Sequence, residues 1–395
     1  MLSYEHALET LLAAAQPPVR RESLTTHLAL GRVLAVPVCA TLNVPPADNS
    51  AMDGYALRLD DVKAGSVLAI SQRIPAGSSP QPLRPGTVAR IFTGAPIPAG
   101  ADAVVMQEKC VADDADVRIE HAPKSGENIR RAGEDIAIGA EVLPAGTRLG
   151  AAHMGLLASI GVAQVEVFVP LRVAVFFTGD ELVMPGAPLG PGQIYNSNRY
   201  VLHGLLGALG CAVTDLGIIP DDLAATRAAL RAAAADHDLV LTCGGVSVGE
   251  EDHVKAAVQA EGALDTWKVA IKPGKPFALG RVADTPFIGL PGNPVSSFAT
   301  FLMLAQPYIR RRQGEAEVLP RPLAVRADFA WPKAGPVREF LRVRCNAAGG
   351  LDLYPKQGSG VLSSCAWADG FVSNPPGQVI QPGDTVAFIP FGGAL

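Results

Sequence analysis

Between residues 171 and 318 short apolar runs alternate with segments of helical texture, and this alternation limits the possible folds more than any other feature of the chain. Strands are expected over 172–177, 212–219, 238–242, 264–271 and 286–290. Helices are expected between them: one capped by Asn196-Ser197-Asn198 and stopped at Gly210, then 221–235, 252–260 and 294–311. Three of the strands are apolar almost without interruption and lack the every-second-residue polarity of a sheet with one wet face. Parallel strands covered by helices on both sides have this composition. The expected fold of 171–318 is therefore a doubly wound α/β domain.

The rest of the chain has a different texture. Ser3 can cap a first helix through Ala7, Leu8, Leu11 and Leu12, ending before Pro17-Pro18, and a second helical piece is expected over 24–36. Over 41–135 prolines and glycines recur every few residues around β-rich runs such as 88–92 and 103–106, which reads as an all-β domain. Helical texture returns near 153–160, so 41–135 is expected to be inserted into a lobe formed by 1–40 and 136–170. After residue 319, β-rich runs at 323–327, 339–344 and 384–389 are separated by turn residues, suggesting a C-terminal β-barrel or sandwich over 319–395.

Composition narrows the function. Of 395 residues 18% are charged and 48% hydrophobic, with a net charge of -5, so the chain is globular and offers no basic face for nucleic acid. Any anion must be bound locally. The six cysteines are widely spaced with no C-x-x-C pair, which argues against a zinc site or a disulfide framework and for reduced thiols. No signal-peptide pattern is present, and no apolar run reaches the roughly 18 residues a spanning helix needs. A cytoplasmic protein without membrane contact is expected.

Open parallel sheets bind ligands outside the carboxyl ends of their strands, and the unusual loops of 171–318 fall at that edge. They are Thr178-Gly179-Asp180-Glu181, Asp221-Asp222, the run 244–252, Lys272-Pro273-Gly274-Lys275-Pro276, and Pro291-Gly292-Asn293-Pro294. The run 244–252 joins a glycine-rich turn, Gly244-Gly245, through Ser247 and Gly249 to Glu250-Glu251-Asp252. Glycines let backbone N–H groups close on an anion, and carboxylates beside an anion call for a bridging hard cation. Lys268, Lys272 and Lys275 cluster around one strand end and suit an oxyanion. Pro294, opening a helix, suits a phosphate at free N–H groups. One of Asp221 and Asp222 is expected merely to cap its helix. Two β-rich stretches, 48–56 and 126–135, pack polar and small residues with no clear helix or strand pattern.

Taken in order, the motifs at 48–56, Thr93-Gly94-Ala95, Asn128-Ile129-Arg130, Gly133-Glu134-Asp135, 178–182, 244–252, 271–276 and 289–294 closely resemble the MoeA family of molybdopterin molybdenumtransferases, which includes the gephyrin E domain. The resemblance spans nearly the whole chain. It implies four domains with a C-terminal β-barrel, and an elongated homodimer whose cleft takes residues from both subunits. It also implies the final step of molybdenum cofactor synthesis, in which molybdate enters adenylylated molybdopterin with a divalent metal, Mg2+, and AMP leaves. An upstream molybdopterin-adenylylating enzyme is the implied partner.

Carried onto this chain, the resemblance marks Asp53, Glu181, Asp252 and Asp221 (or its neighbour Asp222) as functional carboxylates, with Asp252 the metal contact. Lys268, Lys272 and Lys275 become anion-binding lysines; Thr93, Arg130 and Asp135 become contacts from the second lobe. Thr178, Gly179, Asp180, Gly244, Gly245, Ser247, Gly249, Pro291, Gly292, Asn293 and Pro294 complete the substrate site. Ala47 and His253 depart from the aromatic residues usual in the family. A serine of the motif 358–364 also belongs to the pattern, without an indication of which. Two alternatives remain at this level: a tungstate-inserting paralogue, since the oxyanions are nearly isosteric, and a gephyrin-like scaffold, which would want an additional N-terminal domain or linker.

Overall fold

The computed structural model describes residues 1–245 and 253–394. The α/β domain is built on a six-stranded sheet in the order Ala212–Ile219, Arg172–Thr178, Leu239–Cys243, Thr285–Leu290, Pro276–Val282, Gly262–Lys268. The first four run parallel; Pro276–Val282 runs against both its neighbours, so Gly262–Lys268 regains the common direction. Successive side chains of the Arg172–Thr178 strand go to opposite faces. Val173, Val175 and Phe177 enter a core with Leu202, Leu205 and Leu206 of the helix Ser197–Ala208, whereas Ala174 and Phe176 meet Leu230 of Leu223–Asp236 and Val254 of His253–Glu261. Helices thus cover both faces, which is why these strands can be apolar throughout.

Three expectations need correction. The strand Pro276–Val282 is missing from the expected set, because Pro276 closes the loop read over 272–276. Proline is tolerated at a strand's first residue, and Gly280 is required because a Cβ there would lie 2.5 Å from the Ala263 carbonyl oxygen on the neighbouring strand. The expected helix over 24–36 is instead a strand, Arg21–Thr25, paired antiparallel with Gln164–Phe168, followed by a short 3-10 turn at Thr26–Leu28. Cross-strand pairing overrides the local helical preference there. The expected helix 294–311 is Pro294–Thr300 and Gln306–Arg312 joined by a π-helical turn, Phe301–Ala305, every residue of which is buried.

The first helix, Tyr4–Ala14, is capped by Ser3 Oγ, which accepts from the His6 N–H at 3.2 Å. It buries Ala7, Leu8 and Leu11 in the α/β core instead of in the neighbouring lobe. Residues 54–119 form a second six-stranded sheet, ordered Ala103–Met106, Gly54–Leu57, Thr87–Ile91, Val67–Ile74, Asp116–Ile119, Cys110–Ala112, with an apolar cluster on each face. The C-terminal sheet runs Ile271–Lys272, Arg338–Cys345, Gly370–Asn374, Thr385–Pro390, Leu323–Arg326, with Leu351–Leu353 beside Arg338–Cys345. A single bridge between Ala327 and Leu351, with the Asp328 N–H donating to the Leu351 carbonyl at 3.0 Å, completes the circuit of this small barrel. Among the described residues no helix is long and apolar enough to cross a membrane.

Candidate active site

A cleft of ≈ 730 Å³ opens at the carboxyl edge of the α/β sheet. All five strand-end loops reach it, the 272–276 loop through Pro276 and the other four through residues expected in the site. Thr178, Gly179 and Glu181 follow the first strand, Asp221 the second, Gly244 and Gly245 the third, and Pro291, Gly292, Asn293 and Pro294 the strand Thr285–Leu290. These ten expected residues line one space. Gly244 and Gly245 have φ of 96° and 68°, both left-handed, and the Gly244 N–H donates to the Leu290 carbonyl at 3.1 Å, which ties the turn to the neighbouring strand. A Cβ on Gly245 would lie 2.3 Å from Val254 Cγ2 and 2.9 Å from Thr178 Oγ1. Glycine is therefore needed for space as well as for conformation.

The carboxylates sort by role. Asp222 caps the helix Leu223–Asp236, its Oδ1 accepting from the Ala225 N–H at 2.7 Å, whereas Asp221 lines the cleft. The Glu181 carboxylate folds back over Gly179, where a Cβ would come within 2.5 Å of its Oε2. Asp180 is exposed and does not line the cleft. Ser247, Gly249 and Asp252 lie outside the described residues.

The cleft also contains residues that the sequence reading treated only as caps or strand ends. Asn198 donates from Nδ2 to the Gly292 carbonyl at 2.7 Å and to Cys243 Sγ at 3.0 Å, and its buried Oδ1 accepts no hydrogen bond from the described residues. Cys243 Sγ in turn donates to the Pro291 carbonyl at 3.0 Å, and burial raises this thiol's pKa to about 11. It is a neutral strut that ties the 291–294 loop to the third strand. The only advance sign was the Asn-Ser-Asn run at the head of that helix.

Other expected residues sit elsewhere in the same chain. Asp53 Oδ1 accepts from the Thr93 N–H at 2.7 Å and from Thr93 Oγ1 at 2.8 Å. These two bonds, the N–H first, hold its carboxyl below the usual range against a small opposing desolvation, with Arg90 adding a favourable charge. Arg130 is exposed on a two-residue strand paired with Asn49-Ser50, and Asp135 is exposed, its N–H donating to the Val44 carbonyl at 3.0 Å. None of these four lines the cleft, whose described walls all come from the α/β domain. Lys268 and Lys275 are exposed and make no ion pair among the described residues, whereas Lys272 pairs with Glu339 of the barrel at 2.9 Å.

In the C-terminal motif, Ser364 is buried and accepts from Arg342 Nε at 3.1 Å; Ser363 pairs with the Tyr354 hydroxyl and the Ser359 carbonyl accepts from the Val295 N–H. Burial lowers the Arg342 pKa to about 10, with the neighbouring Cys365 opposing the shift. Glu181 and Asp221, with Thr178 and Ser197, supply oxygen donors of the hard kind that suits magnesium. Among the described residues no three His, Cys, Asp or Glu side chains lie close enough to form a metal centre, so two carboxylates are what this part of the cleft offers.

Fold and cleft define a class of multidomain proteins in which an α/β domain opens a cleft at the carboxyl edge of its sheet, flanked by an inserted β-domain and a small barrel. Three family models match the chain in order. They are the MoeA N-terminal region (domain I and II) over residues 2–161, a probable molybdopterin binding domain over 174–311, and the MoeA C-terminal region (domain IV) over 324–391. The molybdopterin molybdenumtransferase of Haemophilus influenzae is 45% identical over 319 residues, covering 80% of this chain and 79% of that one. The protein of that name from Synechococcus elongatus is 35% identical over 397 residues, covering 96% of each. The crystal structure of the molybdopterin biosynthesis moeA protein from Pyrococcus horikoshii OT3 superposes with a TM-score of 0.85 at 27% identity, covering 98% of this chain and 99% of that one. The chain belongs to the MoeA family. Its role lies in molybdenum cofactor biosynthesis, as a transferase.

Proposed function

We propose that this protein catalyses the final step of molybdenum cofactor synthesis, inserting molybdate into adenylylated molybdopterin with release of AMP. The convergence of Glu181, Asp221, Gly244-Gly245 and the 291–294 loop on one cleft carries this reading. The left-handed glycine turn lets phosphate oxygens approach the backbone closely, and the lysines around 268–275 draw in the two anionic substrates. Glu181 and Asp221, joined by Asp252, would hold Mg2+, which when bound polarises the phosphoanhydride and offsets developing charge. No protein nucleophile is required, because the dithiolene sulfurs arrive with the substrate; the chain's task is positioning.

The working unit is a homodimer in which Asp53, Thr93, Arg130 and Asp135 of a second copy complete the cleft. An adenylylating enzyme supplies its substrate, and six free cysteines suit a reducing cytoplasm. The test is incubation of the purified protein with adenylylated molybdopterin, Mg2+ and molybdate while AMP is measured. AMP should appear in step with cofactor and fall at least a hundredfold in Glu181→Gln, as expected for loss of a group acting in the transition state. Absence of AMP from the wild-type protein, with tungstate as well as molybdate, would refute the reading.

A further inference from the structure

The loop joining Gly262–Lys268 to Pro276–Val282 leaves its own sheet and enters another. Ile271–Lys272 pairs in parallel with the barrel strand Arg338–Cys345, with Lys272 opposite Glu339 in the ladder. Lys272 Nζ lies 2.9 Å from Glu339 Oε1, and Trp331 Nε1 donates to Glu339 Oε2 at 2.7 Å. The ammonium also sits 5.9 Å from the centre of the Trp331 ring. Glu339's side chain is 3% exposed and that of Lys272 is 55% exposed. Such a buried carboxylate must be paired and hydrogen-bonded, and here both oxygens are. Even Gly335 fits this purpose: a Cβ there would crowd the Glu339 carboxyl carbon at 3.1 Å.

The other end of the loop is fixed on the cleft. Gly274, at φ 102°, packs so closely that a Cβ would meet Thr300 Oγ1 at 2.3 Å and the Ser296 carbonyl at 3.1 Å, and Ser296 itself lines the cleft, as does Pro276. The loop is therefore clamped between the barrel and the helix that borders the ligand space. Of its lysines, Lys268 and Lys275 have no ion-pair partner among the described residues; Lys272 alone is held.

We infer that Glu339 is a positioning residue. From the barrel it fixes the Lys272 ammonium on the loop beside the cleft, with Trp331 locking the carboxylate, so that the half of Lys272 left in solvent meets an incoming oxyanion already oriented. The inference rests on the proposed function for its role in turnover, but the geometry it assigns can be read without turnover. The same pairing ties the barrel to the α/β domain at the point where substrate anions arrive.

The test compares wild type, Glu339→Gln and Trp331→Phe for acetylation of individual lysines by a water-soluble N-hydroxysuccinimide ester, read by mass spectrometry on the ligand-free full chain. Lys272 should react about ten-fold faster in Glu339→Gln, the equivalent of one lost charge-assisted bond, while Lys268 and Lys275 serve as internal references and keep their rates. Trp331→Phe should give an intermediate increase. In turnover, KM for molybdate should rise in Glu339→Gln more than kcat falls. Unchanged Lys272 labelling in both variants, or equal acceleration at all three lysines, would overturn the assignment. If Glu339→Gln does not fold, Trp331→Phe decides the matter alone. A wild-type protein that releases no AMP would refute the proposed function and leave the labelling result to decide the positioning role.

Discussion

Asp221 and Asp222 show how one position in the chain separates structure from chemistry. Asp222 satisfies the Ala225 N–H and Asp221 faces the cleft. Asp222→Ala should therefore cost about 1 kcal/mol, the usual worth of an N-cap, visible as a lower urea midpoint with AMP release per folded molecule unchanged. Asp221→Ala should do the reverse. An Asp222 variant that is inactive yet equally stable would reassign the pair. Gly245 makes a similar case in backbone form. Gly245→Ala forces a left-handed alanine against Val254 and Thr178, and should lower stability by about 1–3 kcal/mol while weakening AMP binding in calorimetry. An alanine variant that melts and binds like wild type would show that the turn relaxes freely. The sequence carried the glycines and carboxylates because their chemistry is unusual for a loop. It could not reveal Asn198 or Cys243, whose importance comes only from what the 291–294 loop places against them.

At the level of elements, legibility tracked the length and regularity of the pattern. The apolar strand 172–177 and the helix opened by Asn196-Ser197-Asn198 were readable because period and cap agree with tertiary packing. Pro276–Val282 and Arg21–Thr25 were not, because each owes its strand conformation to a neighbour distant in sequence. The barrel was readable as a set of strands, but its closure was not, since that depends on one bridge at Ala327 and on the polar cluster around the next residue, Asp328. Asp328 takes two bonds from Arg326, at 2.7 and 3.0 Å, and one from Asn346 at 2.9 Å. The Arg326 bonds first, and then Asn346, lower its pKa from 3.8 to about 2. Because the folded value is depressed, the stabilisation is full above pH 3.8 and is lost as the pH falls towards 2. Asp328→Asn should therefore melt below wild type at neutral pH and approach it in acid. A gap in melting temperature that stays constant down to about pH 2.5, where the linkage requires it to narrow, would show that the seam does not depend on this charge.

At the scale of the whole molecule, the division of expected residues between two places becomes an argument about assembly. The described walls of the cleft come from the α/β domain alone, while the Asp53–Thr93 pair lies on the inserted domain, Thr93 exposed and Asp53 half-buried. Thr93 binds only Oδ1 of Asp53, leaving Oδ2 without a hydrogen bond from the described residues, and the same two bonds lower the pKa and so favour the ionised form. An ionised, oriented carboxylate with an unused oxygen suits a ligand brought to it from outside its own chain. If two copies share each cleft, Asp53→Ala and Glu181→Ala should each be inactive as pure dimers, because every site lacks one half. After subunit exchange between them, half of the dimers are mixed, and each mixed dimer has one site with both halves intact and one with neither. Activity should then recover to about a quarter of wild type, as two-fold symmetry requires when each mixed dimer contributes one working site of two. Sedimentation run alongside confirms that exchange has occurred. Failure to recover activity in demonstrably mixed dimers, or a monomer at assay concentration, would place both residues in the service of one chain and remove the shared cleft.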